Sequence, residues 1–309
     1  MSRRQFAPGL GAHLASITAR WDARPLAVFG RPVVWIGLVA ANLIGWYLHW
    51  VAQSARLTIG LAGLAYWSLV PAAILLVVAF AVRRVSLIVV AAVVMTISTF
   101  TFFSPAMVVG CGPSTDQAAN SPSMVVYSHN VKVDVGDPVG VAEAIVAHDA
   151  DVVALQETSP SFAAELLEQP NLSEYQYRAV ATLPKTRLIT LSRWPAGPTS
   201  IDQMSDFDAS RNQMSTQIDG PLGPFTLINY HATAPVDRAR IEAWAADLDQ
   251  LDHQIDGPTL VAGDFNATIN HAQFRQVLDA GWRDAHQSKG CGLDATWPCL
   301  LYTSPSPRD

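Results

Sequence analysis

Cysteine is nearly absent from this chain of 309 residues. Only Cys111, Cys291 and Cys299 occur, and no pair has the close spacing of zinc ligands. That excludes a cysteine-built zinc site. Charge is also scarce, at 15% of residues against 50% hydrophobic, and the mean hydropathy is +0.21. A soluble enzyme alone rarely has this balance, whereas a membrane portion beside a folded domain explains it. The second half has no Gly-rich phosphate loop, no Gly-x-Ser-x-Gly elbow, no internal repeat and no low-complexity run. Those absences remove P-loop nucleotide chemistry and the serine-hydrolase elbow from consideration.

The charge that is present is unevenly placed. Up to residue 110 there are eight arginines (Arg3, Arg4, Arg20, Arg24, Arg31, Arg56, Arg83 and Arg84) and one acid, Asp22. The rest of the chain holds 12 basic and 25 acidic groups. An acidic domain repels polyanions unless cations intervene, so tight non-specific DNA binding is not the first expectation.

Three apolar stretches, about 33–51, 59–82 and 85–109, each have roughly the 20 residues that a bilayer-crossing helix needs. Trp35, Trp46, Tyr47 and Trp50 lie near the ends of the first, as interfacial anchors do. Pro71 in the second is tolerable in a membrane helix as a kink. A soluble core helix of such length would show a polar face, and the third stretch shows almost none. The first run starts late and two more come after it, which argues against a cleaved signal peptide. Val108-Val109-Gly110-Cys111 loosely resembles a lipoprotein processing box, but it lies beyond three predicted spans.

Five arginines precede the first span and Arg83–Arg84 separate the second from the third, so the positive-inside rule puts the N-terminus in the cytoplasm. Three crossings then place the remainder of the chain outside the cytoplasm, in the cell-membrane topology of a multi-pass protein. There a Cys111–Cys291 disulfide is possible, with free buried thiols as the alternative. The expected organisation is a cytoplasmic segment (1–32), a three-helix membrane region (33–109), a Gly/Pro/Ser/Asn-rich linker (110–122), a folded domain (123–298) and a tail (299–309).

Within the domain, strands are expected at Met124–Ser128, Asp151–Leu155, Leu188–Ser192 and Thr259–Ala262. Met214–Ile218 and Phe225–Asn229 read as a hairpin about Gly220–Gly223. Helices are expected at Val139–His148, Ser161–Glu168 (capped by Ser159 or Ser161), Val236–His253 and Phe274–Ala280. This alternation predicts an α+β architecture with sheets inside and helices outside.

Polar groups stand just past the C-terminal ends of four of these apolar strands: Asn130, Glu157, His231, and the pair Asp264 and Asn266. If the strands pack side by side, the groups converge on one rim. They suit phosphoester hydrolysis. Glu157 can hold Mg²⁺, which takes few protein ligands and keeps its waters. His231 can donate to a phosphate oxygen. Asp264 and Asn266, two apart on an extended chain, point the same way, one to orient water and the other to bind phosphate.

The ordered set Ser-His-Asn-Val (128–131), Leu-Gln-Glu-Thr (155–158), Leu-Ser-Arg-Trp-Pro (191–195), Asn-Tyr-His-Ala (229–232) and Gly-Asp-Phe-Asn-Ala (263–267) resembles the endonuclease/exonuclease/phosphatase family over about residues 123–298. The resemblance implies a four-layer α/β sandwich, two packed sheets flanked by helices. It implies Glu157 as metal ligand with Asn130 helping to set the Mg²⁺ (or Mn²⁺) site. It also implies His231 and Asn266 on phosphate, with Asn130 beside them, and Asp264 with Asn266 positioning water. The implied substrate is a phosphoester: nucleic acid, a phospholipid head group or a small phosphate ester. The membrane bilayer is the other expected partner, and no protein partner is expected. Arg193 reads as a substrate contact or a strand-end ion pair, and Arg211 is less secure. His129, His253, His271 and His286 read as structural or surface residues.

The family's later Ile-Asp-His-like and Ser-Asp-His-like motifs do not occur in the chain. The run Cys299-Leu-Leu-Tyr-Thr-Ser-Pro-Ser-Pro-Arg-Asp309 resembles a translated sequencing adapter. The expectation is therefore a C-terminally incomplete hydrolase, inactive as it stands. A non-catalytic, membrane-tethered binding module on the same fold is the alternative.

Overall fold

A computed structural model of the protein describes residues 32–103, apart from 52 and 84, and residues 123–288, apart from 134, 184–185, 204–211, 254–256 and 286–287. It contains two compact units. One takes in the described residues up to Trp46 with Trp67–Phe103, the other Tyr47–Tyr66 with the described residues beyond 122.

The N-terminal part holds α1 (Pro32–Trp50), α2 (Arg56–Gly63), α3 (Leu69–Val82) and α4 (Val85–Phe103). In the first unit Trp35 packs with Ala72, Leu75, Val78 and Ala79 of α3 and with Ala91 and Val94 of α4. One polar chain is buried there: Trp46 Nε1 donates to Ser98 Oγ (3.2 Å), and Ser98 donates to Asn42 Oδ1 (3.2 Å). Pairing these groups removes the cost of burying them among apolar side chains. Val33, Ile36, Leu43, Val77, Phe80, Val85 and Phe100 instead point outward, exposed.

Pro32–Trp50 and Val85–Phe102 are long and apolar enough to cross a membrane. The stretch read as one span over 59–82 is divided. It forms α2, a 3₁₀ turn at Ala65–Ser68, and then α3 of 14 residues. At 1.5 Å per residue α3 covers about 21 Å, short of a bilayer core of about 30 Å. Two local causes divide it. Ile59 turns into the core of the other unit, and Pro71 lies in the first turn of α3, where its missing N–H is harmless, instead of kinking a longer helix.

The second unit is a sandwich. One sheet has β1 (Val126–Asn130), β2 (Val152–Thr158), β3 (Tyr177–Thr182) and β4 (Arg187–Ser192) in the order β1-β2-β4-β3. The other has β5 (Ala196–Gln203), β6 (Asn212–Gly220), β7 (Gly223–His231) and β8 (Thr259–Asp264) in that order. Each sheet contains one parallel pair, β1 with β2 and β7 with β8. β6 and β7 form the expected hairpin, closed by Gly220 opposite Gly223.

Helices α5 (Pro138–Ala147) and α6 (Pro160–Leu167) cover the first sheet, and α7 (Arg238–Asp249) and α8 (Ala272–Asp279) the second. Three of them start where side-chain caps fix the chain. Asp137 accepts from Val139 N–H, Ser159 from Phe162 N–H, and Asp237 from Arg240 N–H. Pro138 and Pro160 hold the first helical position after the first two caps. Val152, Ile218 and Leu227 lie between the sheets with Val126, Phe225 and Leu260. The layers are helix, sheet, sheet, helix, as expected.

The sequence reading missed β3 and β5. Both are edge strands, and both alternate weakly between apolar and polar residues. β5 also contains Pro198, at the point where its register with β6 slips between Ala196 and Thr199. Proline in a sheet is confined to such edges and bulges.

Candidate active site

The four strand ends do converge, and they do so across the sandwich. β1 and β2 end side by side in one sheet, as β7 and β8 do in the other. Glu157 Oε1 on β2 lies 3.2 Å from His231 Nε2 on β7. Asn130 Nδ2 on β1 donates to Asp264 Oδ2 on β8 at 2.9 Å. Both links join one sheet to the other, so the four side chains close a ring at one end of the sandwich.

Local backbone aims each group. The β2–β4 register breaks between Leu155 and Thr158, and Glu157 sits in that bulge at φ 55°. A bulge re-aims a side chain, and a non-glycine residue at positive φ persists only where its surroundings hold it. The Glu157 carboxylate stays partly exposed while His231 is fully buried. Asn130 Oδ1 accepts from Lys132 N–H (3.0 Å), so its amide is fixed at both ends.

Asp264 and Asn266 meet by a different route from the one expected. The strand stops at Asp264, and Asn266 turns back at φ 48°. Its N–H donates to Asp264 Oδ1 (2.8 Å), and its Nδ2 donates to Ala232 O (3.0 Å). A turn, not an extended chain, therefore brings the pair together, and it ties the end of β8 to the residue after His231.

Beside Glu157 a cleft of about 270 Å³ opens between the 131–138 loop and the start of α6, lined among others by Lys132, Ser159, Ser161 and Glu165. Lys132 brings a cation to this wall. The sequence reading did not select it, because a single exposed lysine has no distinguishing pattern.

Buried amides support the ring. Gln156 Nε2 donates to Asn229 Oδ1 (2.8 Å), and Asn229 Nδ2 donates to Ile189 O (2.9 Å). These bonds pin the two sheets together one residue behind Glu157 and two behind His231. Both residues stand inside the five sequence motifs, and their hydrogen bonds join the sheets.

Arg193 resolves as an ion pair. It contacts Asp149 (2.7 Å), Glu174 (3.2 Å) and Asp151 (3.6 Å), and it lies over the Tyr175 ring. Asp151 precedes β2 and Glu157 is near its far end, so Arg193 is at the opposite end of the sheet from the ring. His129 points away from the ring, with its Nδ1 3.1 Å from Tyr127 Oη. Arg211, His286, the His253 side chain, the three cysteines, the 110–122 linker and the 299–309 tail lie outside the described residues.

His271 is buried, and burial, aided by the nearby Arg275 charge, lowers its pKa to about 4. The folded protein therefore takes up this proton later than the unfolded chain as pH falls. Stability is complete above the unfolded value of 6.5 and declines down to about 4. The expected loss is on the order of 3 kcal/mol. His271→Gln is expected to remove most of that slope in urea unfolding measured between pH 7 and pH 4. An unchanged slope would assign the pH dependence to other groups, such as His129, whose pKa burial also lowers.

The donor set fits a hard divalent cation. Among the described residues no three His, Cys, Asp or Glu side chains form a metal cage. A partly exposed carboxylate, with an amide and a second carboxylate at the neighbouring strand ends, is instead the kind of donor set Mg²⁺ takes, since it keeps most of its waters.

The family model described as "Endonuclease/Exonuclease/phosphatase family" matches residues 127–308. No curated protein matches the chain. Solved structures are similar at low identity. An endonuclease/exonuclease/phosphatase from Beutenbergia cavernae DSM 12333 is 18% identical with a TM-score of 0.43, over 50% of this chain and 53% of that one. The D. rerio TDP2 protein, complexed with single strand DNA product, is 17% identical with a TM-score of 0.41, over 56% and 66%. An AP endonuclease from Archaeoglobus fulgidus is 13% identical with a TM-score of 0.41, over 52% and 72%. The chain thus spans about half the length of the first of these and two thirds of the second. With four of its five motifs supplying the ring and the family model covering more than half its length, the chain belongs to the endonuclease/exonuclease/phosphatase family.

Proposed function

We propose that the domain hydrolyses phosphate esters with the help of Mg²⁺ or Mn²⁺, and that it does so on a membrane anchor. The observation that carries the reading is the ring itself, in which Glu157 meets His231 and Asn130 meets Asp264 across the two sheets. Glu157, with Asn130 beside it, would hold the metal. When bound, the metal polarises a phosphoryl oxygen and offsets developing charge.

The chain's own groups do the rest. His231 Nε2 is held at the Glu157 carboxylate and can donate to a phosphate oxygen there. Asp264, held by two N–H donors, keeps its charge oriented toward the ring and can align an attacking water. Asn266, clamped on Ala232, is the second phosphate-binding group in this reading. Lys132, on the cleft wall, adds positive charge in an otherwise acidic domain.

The membrane reading is supported by the two long apolar helices, by their outward-facing aliphatic and aromatic side chains, and by the arginines flanking them. The competing reading, a binding module, keeps the ring without turnover.

The test is a substrate panel at saturating Mg²⁺ and Mn²⁺: bis(p-nitrophenyl) phosphate, p-nitrophenyl phosphate, a short DNA duplex and sphingomyelin vesicles. Against the sequence expectation of an inactive chain, the assembled ring predicts turnover of at least one, with His231→Ala slower by about 100-fold or more. No turnover of any of them, with the metal still bound, would leave the binding module.

A further inference from the structure

The segment between α1 and α3 belongs to the same compact unit as the catalytic ring. Ile59 is 1% exposed and sits in a core with Tyr230, Trp244, Leu248 and Val277. Phe265, the residue between Asp264 and Asn266, packs against that core. Its ring lies 4.9 Å from Tyr230 and 5.3 Å from Phe274, and Trp244 Nε1 donates to its carbonyl (3.1 Å).

The loop after Asn266 is tied to the same segment. His271 Nδ1 accepts from Thr268 N–H (2.9 Å), so the ring proton is on Nε2, which donates to Ile59 O (3.0 Å). Gln53 adds two bonds: its Oε1 accepts from Ala272 N–H (3.3 Å), and its carbonyl accepts from Gln273 Nε2 (2.7 Å). None of the five sequence motifs points to this segment.

We propose that residues 53–59 are a working part of the catalytic domain, a clasp in which Ile59 and His271 are positioning residues that hold the Asp264–Asn266 turn in place. The inference rests on the hydrolase reading. The physical case is that Asn266, a non-glycine residue at φ 48°, needs its surroundings to over-determine it. The turn is held from the ring side by Asp264 and Ala232. From the other side it is held by Phe265, packed in the core that Ile59 completes, and by the Thr268–His271 bond. The clasp also requires residues 53–59 and the domain to lie on one side of any bilayer.

The test uses the full chain in detergent, with bis(p-nitrophenyl) phosphate and Mg²⁺ as probe. Ile59→Ala and His271→Phe are each expected to lower kcat at least tenfold while KM stays within about twofold. Ile59→Leu, which refills the core, is expected to recover most of kcat. Trypsin cleavage at Arg56, which opens α2, is expected to be slow in the parent chain and fast in both variants. Unchanged kcat and unchanged cleavage in both would overturn the clasp, as would parallel losses in kcat and in substrate binding. If Ile59→Ala does not fold, His271→Phe decides. If the parent chain itself shows no turnover, the catalytic reading fails, and the clasp is then judged by Arg56 protection together with Mn²⁺ affinity. It stands if both fall in the variants and is overturned if neither does.

Discussion

Gly263→Ala is expected to remove activity and to destabilise the domain by about 3 kcal/mol or more. A Cβ at this position would stand 1.8 Å from the Tyr230 carbonyl oxygen and 2.7 Å from its carbon. Both atoms are backbone, so no side chain can swing aside. Gly263 and Tyr230 face each other in the β7–β8 ladder, and the next pair along is Asp264 and His231. Any separation that admits the methyl group therefore displaces the two strand ends that carry His231 and Asp264. Gly197→Ala is the matched control, because a Cβ there meets Gln217 side-chain atoms at an ordinary 3.7 Å. It is expected to change stability by less than about 1 kcal/mol. Urea unfolding and hydrolysis, measured on both variants, check the pair. Equal stability for both would mean that β7 and β8 do not approach as described.

Glu157→Gln is expected to leave the fold intact and lower Mn²⁺ affinity by roughly 100-fold, about 2.7 kcal/mol, with hydrolysis falling at least as far. The substitution keeps the size of the side chain and removes only its charge. The bulge that points residue 157 into the ring depends on backbone pairing, so the amide should reach the same place. A cation that keeps most of its waters depends strongly on the few protein charges it has. Titration with Mn²⁺ reads the affinity, and the melting temperature should move by no more than a few degrees. An unchanged Mn²⁺ affinity would remove Glu157 from the metal site.

Much of this site is legible in the sequence alone, for a simple reason. Short apolar runs such as Val152–Leu155 and Leu227–Ile228 are buried on both faces, so strand-end polar residues stand out against them. What escapes such a reading is set by tertiary context. The edge strands β3 and β5 face less core and carry a weaker pattern. Gln156 and Asn229 gain their meaning only when the two sheets meet. Glu157 and Asn266 depend on positive φ, which residue type does not announce outside glycine. Ile59 and its neighbours read as the start of a membrane span because hydropathy records that a side chain avoids water and not where it goes. His271, expected to be a structural or surface residue, is structural, but its partner lies 212 residues away in the sequence.

The most direct measurement is hydrolysis of bis(p-nitrophenyl) phosphate by the full chain as Mg²⁺ is titrated in and then removed with a chelator. Release of p-nitrophenolate that rises to saturation with Mg²⁺, stops on chelation and is missing from Glu157→Gln is the expected result. Hydrolysis indifferent to the chelator, or none at saturating Mg²⁺ from a chain that melts cooperatively, would contradict a metal-dependent hydrolase built on this ring.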